Sequence, residues 1–301
     1  MNAKVTPHAL NAIQTSVIKS SFPVRRMDFE FQDVPRYWAG YDAGLTHFMT
    51  AMSALFPDGE KFFVDSTRAV RHDPKLADPR LQKEISAFIG QEAMHSKEHV
   101  AFNASAEKYG YPVKALEKMT AKVIGRVADG ALKLLKPFGF TREIIGLTGT
   151  CALEHFTATI ASELMTNTDV QAMFKDDTMY RLWMWHAVEE NEHKAVVYDV
   201  YTALYGQGIK AYGMRSAAMV IAMVAIFLTQ SYFTARLMQQ DNKLTWRDSK
   251  YMIKFMYGRY GFISKQIPEL LAFFRPNFHP NDFDTDALLN EWKDKLGFAP
   301  H

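Results

Sequence analysis

Two segments of the chain, QEAMHSKEH (91–99) and WHAVEENEH (185–193), each place a glutamate three residues before a histidine. On a helix that spacing sets both side chains on one face. Glu92 and His95 form the first pair, with His99 one turn later; Glu190 and His193 form the second, with His186 one turn earlier. Two single glutamates stand in apolar surroundings. Glu60 lies in FPDGEKFF, and Glu154 lies in TGTCALEHFTATIA, where the neighbouring His155 is the one other ionisable group across 146–160 apart from Cys151. A carboxylate buried in such a helix is costly unless a cation or a hydrogen-bond network compensates it. The order Glu, Glu-x-x-His, Glu, Glu-x-x-His on four helices is the pattern by which helical bundles hold two metal ions from within. It predicts an all-α fold: a ferritin-like four-helix bundle with additional C-terminal helices.

Punctuation along the chain agrees. Asp78 followed by Pro79 is a helix start, and the helix it opens passes Gly90 and ends near Gly110. Further helices are expected at Val113–Leu135, from the Thr141 cap to about Met165, and from Asp176 or Asp177 to about Tyr205. Asp42 to Leu55 reads as an earlier helix, with a kink or restart at Pro57 and Gly59. Strand-like alternation is scarce. The expected division is a di-metal helical bundle with an N-terminal extension over 1–206, and a helical region over 207–301 packed on it. Within the second part, 216–235 carries no charge and has twelve consecutive apolar residues at 217–228. A bilayer span, an interfacial helix with aromatic and basic neighbours, and a buried or oligomer-contact helix are its three readings, the last the commonest for an apolar run of that length.

Composition narrows the chemistry. With 35 basic and 33 acidic residues, the chain lacks the basic excess of a general nucleic-acid binder. A single cysteine, Cys151, excludes an internal disulfide framework and cysteine-rich metal sites, leaving histidine and carboxylate donors. The N-terminal stretch has no continuous apolar core of a secretory signal. A cytoplasmic protein is expected, peripheral to or anchored in the inner face of the membrane if 216–235 meets lipid. The expected partners are a small-molecule substrate, lipid-like in that case, an unidentified electron donor, and a second copy in a homodimer.

Four glutamates formally neutralise two divalent irons, and carboxylates can bridge both and change binding mode with oxidation state. Imidazoles add borderline donors, and an incomplete set leaves room for dioxygen. Glu189 is the rival of Glu190 for the inward position. His186 reads either as a third imidazole ligand or as a hydrogen-bond partner of one. His99 and His155 read as partners of ligands or as extra ligands, and Glu98 and Glu192 as solvent-facing or supporting acids. Thr150, Cys151, Thr157 and Ala158 either leave room for a substrate or simply pack, and Trp183 and Trp185 read as core.

The motifs FPDGEKFF, QEAMHSKEH, ALEHFTA and WHAVEENEHK resemble a bacterial family named predicted metal-dependent hydrolase, over about 24–205. The arrangement of His186, Glu190 and His193 also resembles the di-iron arylamine N-oxygenases. That likeness implies Glu60, Glu92, His95, Glu154, His186, Glu190 and His193 as ligands of two irons, with manganese or zinc as alternatives. His99, His155 and the apolar helix after the bundle depart from it. The expectation is a di-iron oxidase or oxygenase acting on an organic substrate. The alternative is a hydrolase using a metal-bound hydroxide, and the third reading is an iron-binding protein that is not an enzyme.

Overall fold

The computed structural model describes residues 20–298; the N-terminal reading above falls largely on 1–19, outside them. Twelve α-helices follow in order: α1 (Ala43–Ser53), α2 (Phe56–Val70), α3 (Pro79–Ala106), α4 (Val113–Leu135), α5 (Arg142–Thr166), α6 (Thr168–Gln171), α7 (Asp177–His193), α8 (Val196–Tyr205), α9 (Ile209–Gln240), α10 (Trp246–Tyr257), α11 (Ile267–Ala272) and α12 (Asp286–Leu296). The all-α class expected from the sequence is what forms, with no strand among the described residues beyond one isolated bridge between Ala39 and Phe174.

Local sequence sets most of the helix starts. Asp42, Asp78, Thr141 and Asp176 each accept a hydrogen bond from a backbone N–H in the first turn of the following helix. Such a cap is worth about 1 kcal/mol. Pro79 and Pro57 sit in first turns, where no N–H partner is lost. Gly90 does not interrupt α3. A Cβ there would lie 2.6 Å from the Val24 side chain, so the glycine lets the N-terminal segment cross the helix at close range.

The helices α2, α3, α5 and α7 pack against one another, α2 on α3 and α5 on α7, with α2 also on α5. Trp183 and Trp185 of α7 are fully buried in the core, as expected. The segment before α1 wraps this group: Phe22, Phe31 and Trp38 are buried, and Arg25 pairs with Glu189 and Glu192. Glu98 accepts from the Asp28 and Phe29 backbone N–H groups. The side chains of Glu98 and Glu192 are therefore enclosed supports rather than solvated acids.

Two expectations are corrected. The helix read as 176–205 breaks after His193 into α7 and α8. No glycine or proline marks the break; Lys194 there reaches the Phe283 carbonyl and the Thr285 hydroxyl, a tertiary anchor that local sequence does not encode. The apolar segment belongs to the 32-residue α9, and only 22% of its most apolar stretch is buried, so it is not buried within the chain; the span, interfacial and oligomer-contact readings stand. One stripe, including Met219, Phe233 and Leu237, packs inward on α1 and α5. Buried Arg215 donates to the carbonyls of Phe273, Arg275 and Pro276.

Asp241, just past α9, ties that helix to the N-terminal segment. It accepts from Arg36, from the Tyr37 hydroxyl at 2.8 Å and from His47 Nε2 at 2.8 Å. Burial opposes its ionisation, but His47, Tyr37 and Arg36 outweigh burial and hold its carboxyl below the usual range. Stability from this acid is present above about pH 4 and lost as pH falls through the depressed pKa. Asp241→Ala is expected to lower unfolding stability by about 2 kcal/mol in a chemical melt, since it strands buried His47, while leaving metal content unchanged.

Candidate metal centre

Each donor reaches the centre of the packed helices through its helical register. Glu60 comes from α2, Glu92 and His95 from α3, Glu154 from α5, and His186, Glu190 and His193 from α7. All seven are at most 4% exposed. They fall into two groups whose donor atoms lie within 4.8 Å of one another and could each hold a metal ion: Glu60, His95 and His186, and Glu92, Glu190 and His193. Glu154 Oε2 joins the second, 3.4 Å from His193 Nε2. Glu190 faces both groups. Its Oε1 is 3.0 Å from His186 Nε2 and 3.6 Å from His95 Nδ1, and its Oε2 is 3.7 Å from His193 Nε2.

Hydrogen bonding fixes which imidazole nitrogen faces inward. Gln91 donates its amide to the Pro23 carbonyl and to Glu192, so its oxygen accepts from His193 Nδ1–H at 2.9 Å, leaving Nε2 turned toward the acids, 3.1 Å from Glu92 Oε1. Glu189, paired with Arg25, accepts from His95 Nε2–H at 3.1 Å, leaving Nδ1. The third relay is longer. Asn103 donates to the Ser53 carbonyl and to Glu117, so its oxygen accepts from the Ser53 hydroxyl. Ser53 Oγ then accepts from His99 Nδ1–H, and His99 Nε2 accepts from His186 Nδ1–H, both at 2.8 Å. His186 Nε2 is turned toward the acids, 3.0 Å from Glu190 Oε1 and 3.7 Å from Glu60 Oε1. Metal-ligating imidazoles are oriented in this way.

Both oxygens of Glu60, Glu92 and Glu154, Oε2 of Glu190, Nδ1 of His95 and Nε2 of His193 are buried with no hydrogen-bond partner. Converging buried acids and imidazoles with unmet hydrogen-bonding capacity are what bound cations would compensate. The electrostatics agree. Burial, reinforced by Glu92, Glu190 and Glu154, raises Glu60 well above the carboxylate range; burial does the same to Glu154, and pushes Glu92 up to about 7 against the pull of His193. Burial lowers His193, but Glu154, Glu190 and Glu92 outweigh it and raise its pKa well above the imidazole range. Burial and His186 hold His95 and His99 well below that range, hence neutral.

A family model described as predicted metal-dependent hydrolase matches residues 23–284. The chain belongs to this family. The match takes in α9 as well as the four donor-bearing helices, so the apolar helix is part of the family's extent rather than an appendage. No curated protein and no solved structure matches the chain.

Among the supporting residues, Glu189 and His99 stand behind His95 and His186 rather than in the donor groups. His155 is not brought to the centre. Consecutive helical residues diverge by about 100°, and with Glu154 turned inward His155 faces α11, bonding the Glu269 carbonyl and stacking on Phe273. Thr157 lines a large cavity that reaches Glu60, whereas Thr150 bonds Ser66, and Cys151 and Ala158 are packed in the interior. Gln91, Arg25, Ser53 and Asn103 are new; the first lies next to the Glu-x-x-His motif, but nothing in the sequence marks the others. Substituting Gln91→Leu or His99→Phe is expected to weaken metal binding 10–100-fold in competition with a chelator, the cost of losing such an orienting partner.

Proposed function

We propose that this member of the family holds two metal ions between Glu60, His95 and His186 on one side and Glu92, Glu154 and His193 on the other, with Glu190 shared. We take the ions to be iron in a ferritin-like bundle, and the activity to be dioxygen-dependent oxidation of an apolar organic substrate. A di-iron centre of this donor type supplies dioxygen activation when its metals are bound. The chain's own residues do the rest. Gln91, Glu189 and His99 hold the three imidazoles in the tautomers that present lone pairs. Phe56, whose ring lies 4.7 Å from those of His99 and His186, closes the centre on the substrate side. The aliphatic and aromatic walls exclude water from the reacting atoms. Insertion of one oxygen atom into a C–H bond, with the other leaving as water, takes two electrons and two protons from an external reductant.

The observation that carries this reading is the convergence of buried, unpartnered acid and imidazole atoms from four helices beside an apolar cavity of about 860 Å³ that reaches Glu60. That volume is in the range of small-molecule sites, roughly 300–1,000 Å³. The family description favours a second reading, a hydrolase in which the same residues hold metals that activate water. Protein loaded anaerobically with ferrous iron separates the two. Two irons per chain and oxygen consumption after reduction are expected. Cleavage of aryl esters by the zinc- or manganese-loaded protein, without oxygen uptake by the iron form, would establish the hydrolase instead.

A further inference from the structure

The cavity beside the metal centre opens onto a face of the molecule that is apolar where a soluble surface would be polar. Its walls come mainly from α2, α4, α5 and α9, and its lining carries charge at two places only, buried Glu60 and exposed Lys210. Rim residues Phe138, Ile209 and Phe227 are 70%, 91% and 56% exposed. Along the outer side of α9, Val220, Val224, Leu228 and Tyr232 repeat every fourth residue and stand 47–61% exposed, while none of them lines the cavity. The opposite stripe of the same helix is packed on α1 and α5, so the helix lies along the body and does not project from it.

Next to this stripe is a basic and aromatic border. Tyr257 of α10 packs edge-on against Phe227, with ring centroids 6.3 Å apart. From 243 to 265 the chain has six basic residues against one acidic, Asp248, in a protein otherwise almost neutral. Trp246, Tyr251 and Tyr260 are exposed among them. Aromatic rings and lysines or arginines flanking an exposed apolar helix match the headgroup layer of an anionic bilayer in both polarity and charge. An apolar patch this continuous is otherwise rare on a soluble chain.

We propose that the α9 and α10 face seats the protein on an anionic bilayer, and that the cavity takes a single acyl chain from that bilayer toward Glu60, with Lys210 at the mouth meeting the anionic end of the lipid. The substrate half of this inference rests on the metal-centre reading; the docking half does not. The test is co-sedimentation of the full chain with vesicles of phosphatidylcholine alone and of phosphatidylcholine mixed with phosphatidylglycerol. Binding at least about tenfold tighter to the anionic vesicles is expected, weakening with salt. A variant combining Arg247→Glu, Lys250→Glu and Lys254→Glu should lose that preference, and one combining Val224→Asp and Leu228→Asp should lose binding, both with normal metal content and helicity. Equal binding to both vesicle types, or none, overturns the proposal. So does a dimer in lipid-free sedimentation that Val224→Asp with Leu228→Asp converts to monomer, since a second copy would then cover the face. Glu190→Ala should bind vesicles like the parent. Vesicle binding without oxygen consumption would therefore overturn the catalytic reading alone, and oxygen consumption without vesicle binding the docking alone. For the cavity, Ala131→Trp should retain vesicle binding but lose uptake of cis-parinaric acid followed by its fluorescence; unchanged uptake overturns the acyl-chain assignment.

Discussion

Glu190→Ala is expected to remove most of the bound metal, from the proposed two ions per chain to one or none by elemental analysis. Glu190 is the acid with an oxygen toward each donor group, 3.0 Å from His186 on one side and 3.7 Å from His193 on the other. Burial opposes its ionisation, yet His186 and His193 overcome burial and hold it well below the carboxylate range, so it meets a cation already charged. Loss of a partner behind a ligand costs 10–100-fold in affinity; loss of a shared ligand should cost more than about 100-fold and affect both ions. Glu190→Gln keeps the shape and removes the charge, and should fail almost as completely. Glu189→Gln should retain both ions with weaker affinity, because Glu189 touches His95 only from behind. If metal content survived Glu190→Ala but not Glu189→Gln, the inward acid would have been misassigned.

The second large effect concerns the protein without its metals. Glu60, Glu92 and Glu154 are raised by burial, and His193 by the acids around it. Each therefore binds protons more tightly folded than unfolded. Where the folded state holds more protons, stability falls as pH rises. Between about pH 6.5 and 8, above the unfolded pKa values of both residue types, the metal-free protein should lose thermal stability. The neutral His95 and His99 act below that window and do not reverse the sign in it. The loaded protein should behave differently, since metal uptake displaces those protons and its affinity rises with pH. At a thousandfold excess over Kd each ion contributes about 4 kcal/mol, so two should raise Tm by roughly 15 °C for a chain of this size. Glu154→Leu should stabilise the metal-free protein and forfeit the metal-dependent gain. A metal-free melt that is flat or rising over this window, or no gain on loading, would show that these acids are satisfied without a cation.

The all-α class was legible because caps, prolines and 3.6-residue periodicity are local properties, and the four inward acids because a buried glutamate betrays itself by its apolar neighbours. The i,i+3 and i,i+4 spacings placed His95, His186 and His193 on the faces that turn inward, since helix geometry alone dictates which side chains share a stripe. Sequence could not decide what those stripes would meet. The break after His193 coincides with Lys194 meeting Phe283 and Thr285, about ninety residues away. The partition into two donor groups, with His186 beside Glu60 and Glu190 between them, depends on how four helices are rotated against one another. The orienting residues Arg25, Ser53 and Asn103 carry no motif, because a hydrogen bond behind a ligand needs only proximity. For α9, composition left span, surface helix and core helix all open. Packing of one stripe on α1 and α5 with the other left bare decided against the core, since burial is a property of the neighbours a helix acquires and not of the helix itself.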